Sequence, residues 1–412
     1  MALEVSIRTM GGIAVDFLSR GTFAQRHDRI RAFLEREGYD AFVTLTPDNF
    51  YYVSGFFLDV APWERPVAAV IPSTGDPFLI MNELSTNHVR MALERESLAV
   101  ADIHFWREHP SSSDRYFTRL QWTGLLAQKL RERGIDRGIL ACDSSYAAIE
   151  NLREDLPGVE LVVESGLLRE MRLVKSSEEL QFIRAGARLS DFGQDRFAEL
   201  VSAGKLVSEV DTETLLQMRI RGADMFPGTR LECRVSSLSG PASASPHGTG
   251  AGSDDVFEAG HGIVNIIIVR LNGYVVENER TWIIGEPDEL QERAFRAATA
   301  ATEAAAARMV AGNPTSSIDS AAQRVIEAAG FGSNIRHRTG HGIGIAGHEY
   351  PDDVAFNHRQ LKAGEVWSAE PGIYIYGVGG FRHDDTVIVG TEEPEVVTKH
   401  SKNIEDQIIP LR

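Results

Sequence analysis

The sequence predicts a two-domain protein of mixed α/β (α+β) class. Three observations predict it. The chain has 412 residues, and domains of about 100–200 residues make two the expectation. Its first half alternates helical and β-rich runs, the signature of an α/β unit. A capped helix start near residue 176 then opens a second half of different character. At 43% hydrophobic and 25% charged residues the chain reads as globular.

The elements follow in order. "FAQRHDRIRAFLEREGYDAFVTLTPDNFYYVSGF" reads as a helix, a strand and a loop, with Gly38 as the helix stop and "AFVTL" as a buried strand. "PVAAVI" and "PFLIMN" read as further strands. "TRLQWTGLLAQKLRERG" has helical periodicity ending at Gly134, and "GILACD" is the strand after it. Ser176 and Ser177 before Glu179 resemble a capping box. The boundary is placed near residue 170, giving domains 1–170 and 171–412. "ATAATEAAAARMV" is a helix inside the second half, because alanine favours helix. "SLSGPASASPHGTGAGSDD" reads as an ordered functional loop carrying His247.

Bulk properties exclude some functions. Lys+Arg number 42 against 59 Asp+Glu, a net charge of −17. That argues against nucleic acid and anionic membranes as partners. Only Cys142 and Cys233 are present, so there is no disulfide framework and no cysteine-rich zinc site. "MALEVSIRTMGGIAVDF" lacks the pattern of a signal peptide. No apolar run approaches the roughly 20 residues of a membrane span. A cytoplasmic enzyme or binding protein is the expectation.

Three polar clusters mark the second half. "SGPASASPHG" carries His247. "GYVVENERTW" carries Glu277 and Glu279, two apart and so on one face of a strand. The third cluster runs from "HRTGHGIGIAGHEYP" through "WSAEPGIY" to "FRHDDTVIV". It holds His337, His341, His348, Glu370, Asp384 and Asp385. His337 and His341 have helical spacing, but Gly340, Gly342 and Gly344 argue for a strand or loop with close backbone approach. Glu370, before Pro371-Gly372, reads as a strand-end residue.

On these residues the chain resembles the creatinase–aminopeptidase P–prolidase superfamily. "SGPASASPH", "TGHGIG", "HEYP", "EPGIY" and "DDTVIV" fall in that family's order. "MRLVKSSEELQFIRAGA" resembles the usual opening of its catalytic domain. The resemblance implies a "pita-bread" catalytic domain behind a smaller N-terminal domain, and a homodimer. It also implies a comparison with the family's two-metal peptidases. Their first Asp falls at Ile266, beside Asn265, and neither is a carboxylate. Their remaining ligands fall at Glu277, His341, Glu370 and Asp384. Two metals are therefore not expected, while those four residues could hold one divalent ion.

"ENERT" resembles the metal-free members, creatinase and ectoine hydrolase. Trp63 and Arg65 in "APWERP" match creatinase's cross-subunit substrate contacts. Asp352 stands where creatinase has an arginine, so creatine itself is not expected. The resulting expectation is a metal-independent hydrolase of C–N bonds in small, carboxylate-bearing compounds, with no cofactor. In it His247 is the general acid–base. Glu279 and Glu370 bind a cationic amidinium, guanidinium or amine, or one of them attacks directly. Trp63, Arg65, His341 and His348 bind substrate, and His337 is structural. The alternatives are a mononuclear, metal-dependent Xaa-Pro-peptidase-like hydrolase and a non-catalytic binding protein.

Overall fold

The chain is described by a computed structural model over residues 17–108, 118–145, 147–248, 250–350 and 355–411. The first 16 residues and Asp352 lie outside the described residues. Two compact units result, Phe17–Arg172 and Leu173–Arg412.

In the smaller unit, Ser19 caps the helix Arg20–Glu37, and Gly38 ends it in the left-handed conformation (φ 72°). That is the stop expected at this glycine. Six strands follow: β1 (Ala41–Thr44), β2 (Ala68–Pro72), β3 (Phe78–Asn82), β4 (Asp102–Trp106), β5 (Arg137–Cys142) and β6 (Gly158–Val163). They form one mixed sheet in the order β4-β3-β2-β1-β5-β6. The helix Thr118–Arg131 presents Trp122, Leu126 and Leu130 to this sheet's core.

The larger unit opens on the capping box the sequence suggested. Ser176 accepts from the Glu179 backbone, Glu179 accepts from the Ser176 backbone, and the helix runs Ser177–Leu200. This helix and Val207–Met225 pack against β7 (Leu231–Ser239), β8 (Gly262–Leu271) and β9 (Tyr274–Ile284). A second helix pair, Glu289–Ala306 and Ser316–Ala328, surrounds a separate core with Trp367 and Val387. The alanine run lets this pair lie close to the strands. Enlarging Ala298 or Ala301, both fully buried, would cost ~1–3 kcal/mol by overpacking.

The remaining strands are β10 (Val366–Ala369), β11 (Gly372–Ile375), β12 (Gly379–Arg382), β13 (Asp384–Ile388), β14 (Glu395–Val396) and β15 (Ile408–Ile409). The main sheet runs β10-β13-β9-β8-β7, while β11 and β12 pair separately. Asn272-Gly273 joins β8 to β9, both at positive φ (45° and 88°). A two-residue turn of this kind matches the strand twist and fixes the register. Among the described residues, no helix is long and apolar enough to cross a membrane.

Candidate active site

The β8–β9 register places the first half of the site. Ile266 lies opposite Glu279 and Ile268 opposite Glu277. On the other side, β7 sets Ser236 against Ile266 and Arg234 against Ile268. Residues directly opposite share a sheet face. All six line one cleft of about 480 Å³. Asn265 faces the other way, where its amide donates to Ser237 Oγ at 3.0 Å.

The histidine-rich segment forms no helix. It crosses the sheet edge as an extended loop with isolated bridges from Gly342 to Glu349 and to Trp367. Close approach explains two of its glycines. A Cβ on Gly340 would sit 2.1 Å from the Ser368 carbonyl oxygen, and one on Gly344 would sit 2.6 Å from the Glu349 carboxylate. His341 is then pinned at three points. Its backbone N–H donates to Ser368 Oγ (3.0 Å) and its Nδ1 to the Gly342 carbonyl (3.1 Å). Its ring stacks on His348 with centroids 3.6 Å apart. With Nδ1 donating, Nε2 faces Glu277 Oε2 at 3.4 Å and Glu370 Oε1 at 3.3 Å.

Glu370 follows the last residue of β10, as its place before Pro371 suggested. Its backbone N–H donates to the Thr339 carbonyl (2.7 Å). Thr339 is itself held by Asp319, which accepts from its N–H (2.9 Å) and hydroxyl (2.8 Å). Asp384 opens β13. Carboxylate oxygens of Glu279, Glu370 and Asp384 lie within 4.8 Å of one another. Glu279 is clasped by Arg382, whose Nη2 donates at 3.1 Å and whose Nε forms a second contact. Arg382 also donates to Tyr374 Oη (3.0 Å) and to the Pro246 carbonyl (3.0 Å). Tyr374 Oη meets His337 Nε2 at 2.7 Å.

Charge is the strained feature of the site. Burial raises the Asp384 carboxyl well above the usual range, and the charges of Glu370, Glu279 and Glu277 raise it further. Neither Asp384 oxygen has a hydrogen-bond donor among the described residues. Burial also raises Glu279 to about 7, against the pull of Arg382. Glu370 goes the other way. Burial opposes it, but the hydrogen bond and charge of His341, with Arg382, hold it down at about 2. Burial would lower His341, yet its bonds to Glu277 and Glu370 outweigh that and raise it well above its ordinary value. Four carboxylates thus share Arg382 and His341 as their cationic partners.

These residues fit one divalent ion and not two. Ile266 offers no donor where a second ion would need one. Glu370 joins two groups of donors, His341 Nε2 and Glu277 on one side and Asp384 and Glu279 on the other, oxygen and nitrogen donors of the kind that suit zinc or a similar ion. A double positive charge there would relieve the buried carboxylates.

The structure therefore brings together Glu277, Glu279, His341, His348 and Glu370 on one cleft. His247 joins them from an exposed position on its wall, and Asp384 lies beside Glu279 and Glu370. Trp63 and Arg65 belong to the smaller unit. Trp63 is 80% exposed, and Arg65 is ion-paired with Glu64 (2.8 Å) and Glu108. Sequence reasoning missed Arg382, Arg234 and Asp319. Arg382 had a signal, standing two residues before Asp384 in "FRHDD". Arg234 and Asp319 had none, since strand register and loop contact reveal them.

Residues 181–391 match metallopeptidase family M24 and residues 26–174 the creatinase/prolidase N-terminal domain. A putative dipeptidase of Bacillus subtilis is 27% identical over 383 residues, covering 92% of this chain and 99% of the relative. An Xaa-Pro dipeptidase of Pyrococcus horikoshii is 26% identical, covering 91% of this chain and 97% of its own length. The crystal structure of the dipeptidase PepE from Mycobacterium ulcerans superposes with a TM-score of 0.78 at 26% identity, over 96% of this chain and all of that one.

The expectation of a metal-independent, creatinase-like hydrolase of non-peptide C–N bonds is corrected by these relatives, which are named as an Xaa-Pro dipeptidase, a putative dipeptidase and a dipeptidase. The site supplies a physical reason. Glu279, expected to take a cationic substrate group, is already engaged by the chain's own Arg382. The pita-bread architecture holds as expected, and the chain belongs to metallopeptidase family M24, with the creatinase/prolidase N-terminal domain in front.

Proposed function

We propose that this chain is a metal-dependent hydrolase of the Xaa-Pro dipeptidase type, cutting a peptide bond in a small substrate with one divalent ion. Asp384 carries the reading. It is a fully buried carboxylate without a donor among the described residues, placed against Glu370 and Glu279. Such a group costs several kcal/mol unless a proton or a cation compensates it. The relatives named above support the cation.

Glu277, His341, Glu370 and Asp384 would hold the ion. Bound there, it supplies Lewis acidity toward the scissile carbonyl. The chain's own groups do the rest. The Gly342 carbonyl and Ser368 hydroxyl fix the His341 ring and backbone. Partners of this kind keep a ligand in one tautomer and orientation. His247, exposed on the cleft wall, moves a proton to the leaving nitrogen as general acid. Leu238, Ile266 and Ile268 give an apolar wall that sheds water from the bound substrate. Glu279 and Arg382 form a fixed internal pair that shapes the floor. A homodimer belongs to the same reading, since association would cover the exposed ring of Trp63.

The experiment is hydrolysis of a panel of Xaa-Pro and other dipeptides with manganese, zinc or cobalt supplied. Cleavage abolished by chelator and restored by the ion is the expected result. Cleavage indifferent to chelator, or none with any ion, would sink the reading.

A further inference from the structure

His247 is exposed on the cleft wall, and among the described residues its ring has no hydrogen-bond partner. Its place is therefore set by the backbone that leads to it. That backbone begins with the turn Gly240–Ala244, in which Ser243 is fully buried. The Ser243 hydroxyl makes two hydrogen bonds at once. It donates to the Gly240 carbonyl at 2.6 Å, which closes the turn. It accepts from the Gly380 N–H of β12 at 2.8 Å, which fastens the turn to the strand. The fit leaves little slack. A Cβ on Gly380 would lie 2.2 Å from the Ser243 carbonyl oxygen. One on Gly240, already at positive φ (54°), would lie 2.4 Å from His261 Nδ1. Three residues beyond Ser243, the Pro246 carbonyl accepts from Arg382 Nη1 at 3.0 Å. The segment that ends at His247 is thus held at two points of one strand.

We infer that Ser243 is a positioning residue for His247, its hydroxyl fixing the turn to β12 so that the imidazole faces the cleft. The inference rests on the reading of His247 as general acid and adds the group that holds it in place. Ser243 acts through His247 alone. It is buried beneath the turn, and the cleft is lined instead by Pro246 and His247 beyond it. A proton donor works only within hydrogen-bond reach of the atom it serves, about 2.6–3.2 Å. A misplacement of about 1 Å in such a group costs about 10²-fold in rate. Alanine at 243 neither donates nor accepts. It would open the turn and leave the Gly380 N–H without its acceptor. The strand would stay in place, because the Arg382 N–H donates to Thr281 Oγ1 (2.9 Å) and Thr281 Oγ1 donates to the Arg382 carbonyl (2.8 Å). The loss therefore falls on the loop that carries the proton donor and spares the carboxylate cluster.

The test joins a double-mutant cycle on dipeptide hydrolysis, with manganese supplied, to NMR of protein carrying histidine labelled at Cε1. S243A should lower kcat about 10- to 100-fold, with KM altered less than about twofold and metal content unchanged. In an H247A background S243A should cost less than about twofold, because a residue that acts only through His247 has nothing left to position. G380A crowds the same contact from the strand side and should repeat the pattern; if one variant does not fold, the other reads the contact. In the spectrum, S243A should move the His247 signal, identified by its absence from H247A, and leave the His341 and His348 signals in place. Losses that multiply in the double variant, metal lost along with activity, or an unmoved His247 signal would overturn the proposal. The two readings fail separately. If the wild type cleaves no dipeptide with any ion, the peptidase reading falls, and the His247 signal alone decides whether Ser243 sets the place of that ring.

Discussion

Glu279 and Arg382 form the buried pair that gives the correction of the metal-free reading a physical reason, and its strength is measurable. Their side chains are 8% and 4% exposed. Two unit charges 4 Å apart attract by about 4 kcal/mol at an effective dielectric of 20. Removing one partner of such a pair typically costs 3–5 kcal/mol, because the other charge is left buried and uncompensated. The two losses should be unequal. Arg382 also draws down Glu370 and donates to Tyr374, so R382M should cost about 4–5 kcal/mol. E279L removes one of several mutually repelling carboxylates, so about 2–3 kcal/mol is expected. The double variant should cost much less than the sum, with a coupling energy of at least about 2 kcal/mol. Urea unfolding in the presence of chelator reads this out, with Trp282 and Trp367 reporting the larger unit. An R382M loss within about 1 kcal/mol of wild type, or additive losses, would refute the argument that the chain itself neutralises Glu279.

Three further outcomes are expected. H247A should lower kcat/KM by about 10²–10⁴-fold, the usual range for a general acid–base, with unchanged melting; a near-wild-type rate would move that role elsewhere. D319A removes the acceptor of two Thr339 donors and should cost about 1–3 kcal/mol in unfolding free energy while lowering turnover; unaltered turnover would show that the loop holding His341 is fixed by other contacts. Burial pushes the Cys142 thiol to about 12 and the Cys233 thiol to about 11. Both stay protonated at pH 8, so neither should react with a disulfide reagent until denaturant is added; prompt labelling of the native protein would contradict this.

Much of the architecture was legible because local signals agreed with the fold. The Ser176–Glu179 capping box, the stop at Gly38 and the alanine-rich helix each appear where residue chemistry put them. The site was partly legible. Glu277 and Glu279 share a strand face, and the glycines at 340 and 344 mark close backbone approach. The use of each carboxylate was not legible. "ENERT" shows a second glutamate but not that an arginine about a hundred residues later closes on it. A motif records residue types along the chain, while the charge balance of a cleft depends on partners from β9, β12 and β13 meeting in space. For the same reason Ile266 argued against a second ion yet said nothing about the first, whose proposal rests on Asp384 lacking a donor among the described residues.

The central claim is that the cluster of Glu277, His341, Glu370 and Asp384 holds one divalent ion. Its most direct test is the binding stoichiometry of manganese or zinc to chelator-stripped protein, measured by calorimetry and by metal content after desalting, with I266D and D384N alongside. One equivalent per chain is expected for the wild type, accompanied by a rise in melting temperature, since a ligand that binds only the folded state stabilises it. D384N should lose that equivalent, and I266D, with a carboxylate opposite Glu279, should gain a second. No binding to the wild type, or two equivalents in a chain with isoleucine at 266, would contradict the account.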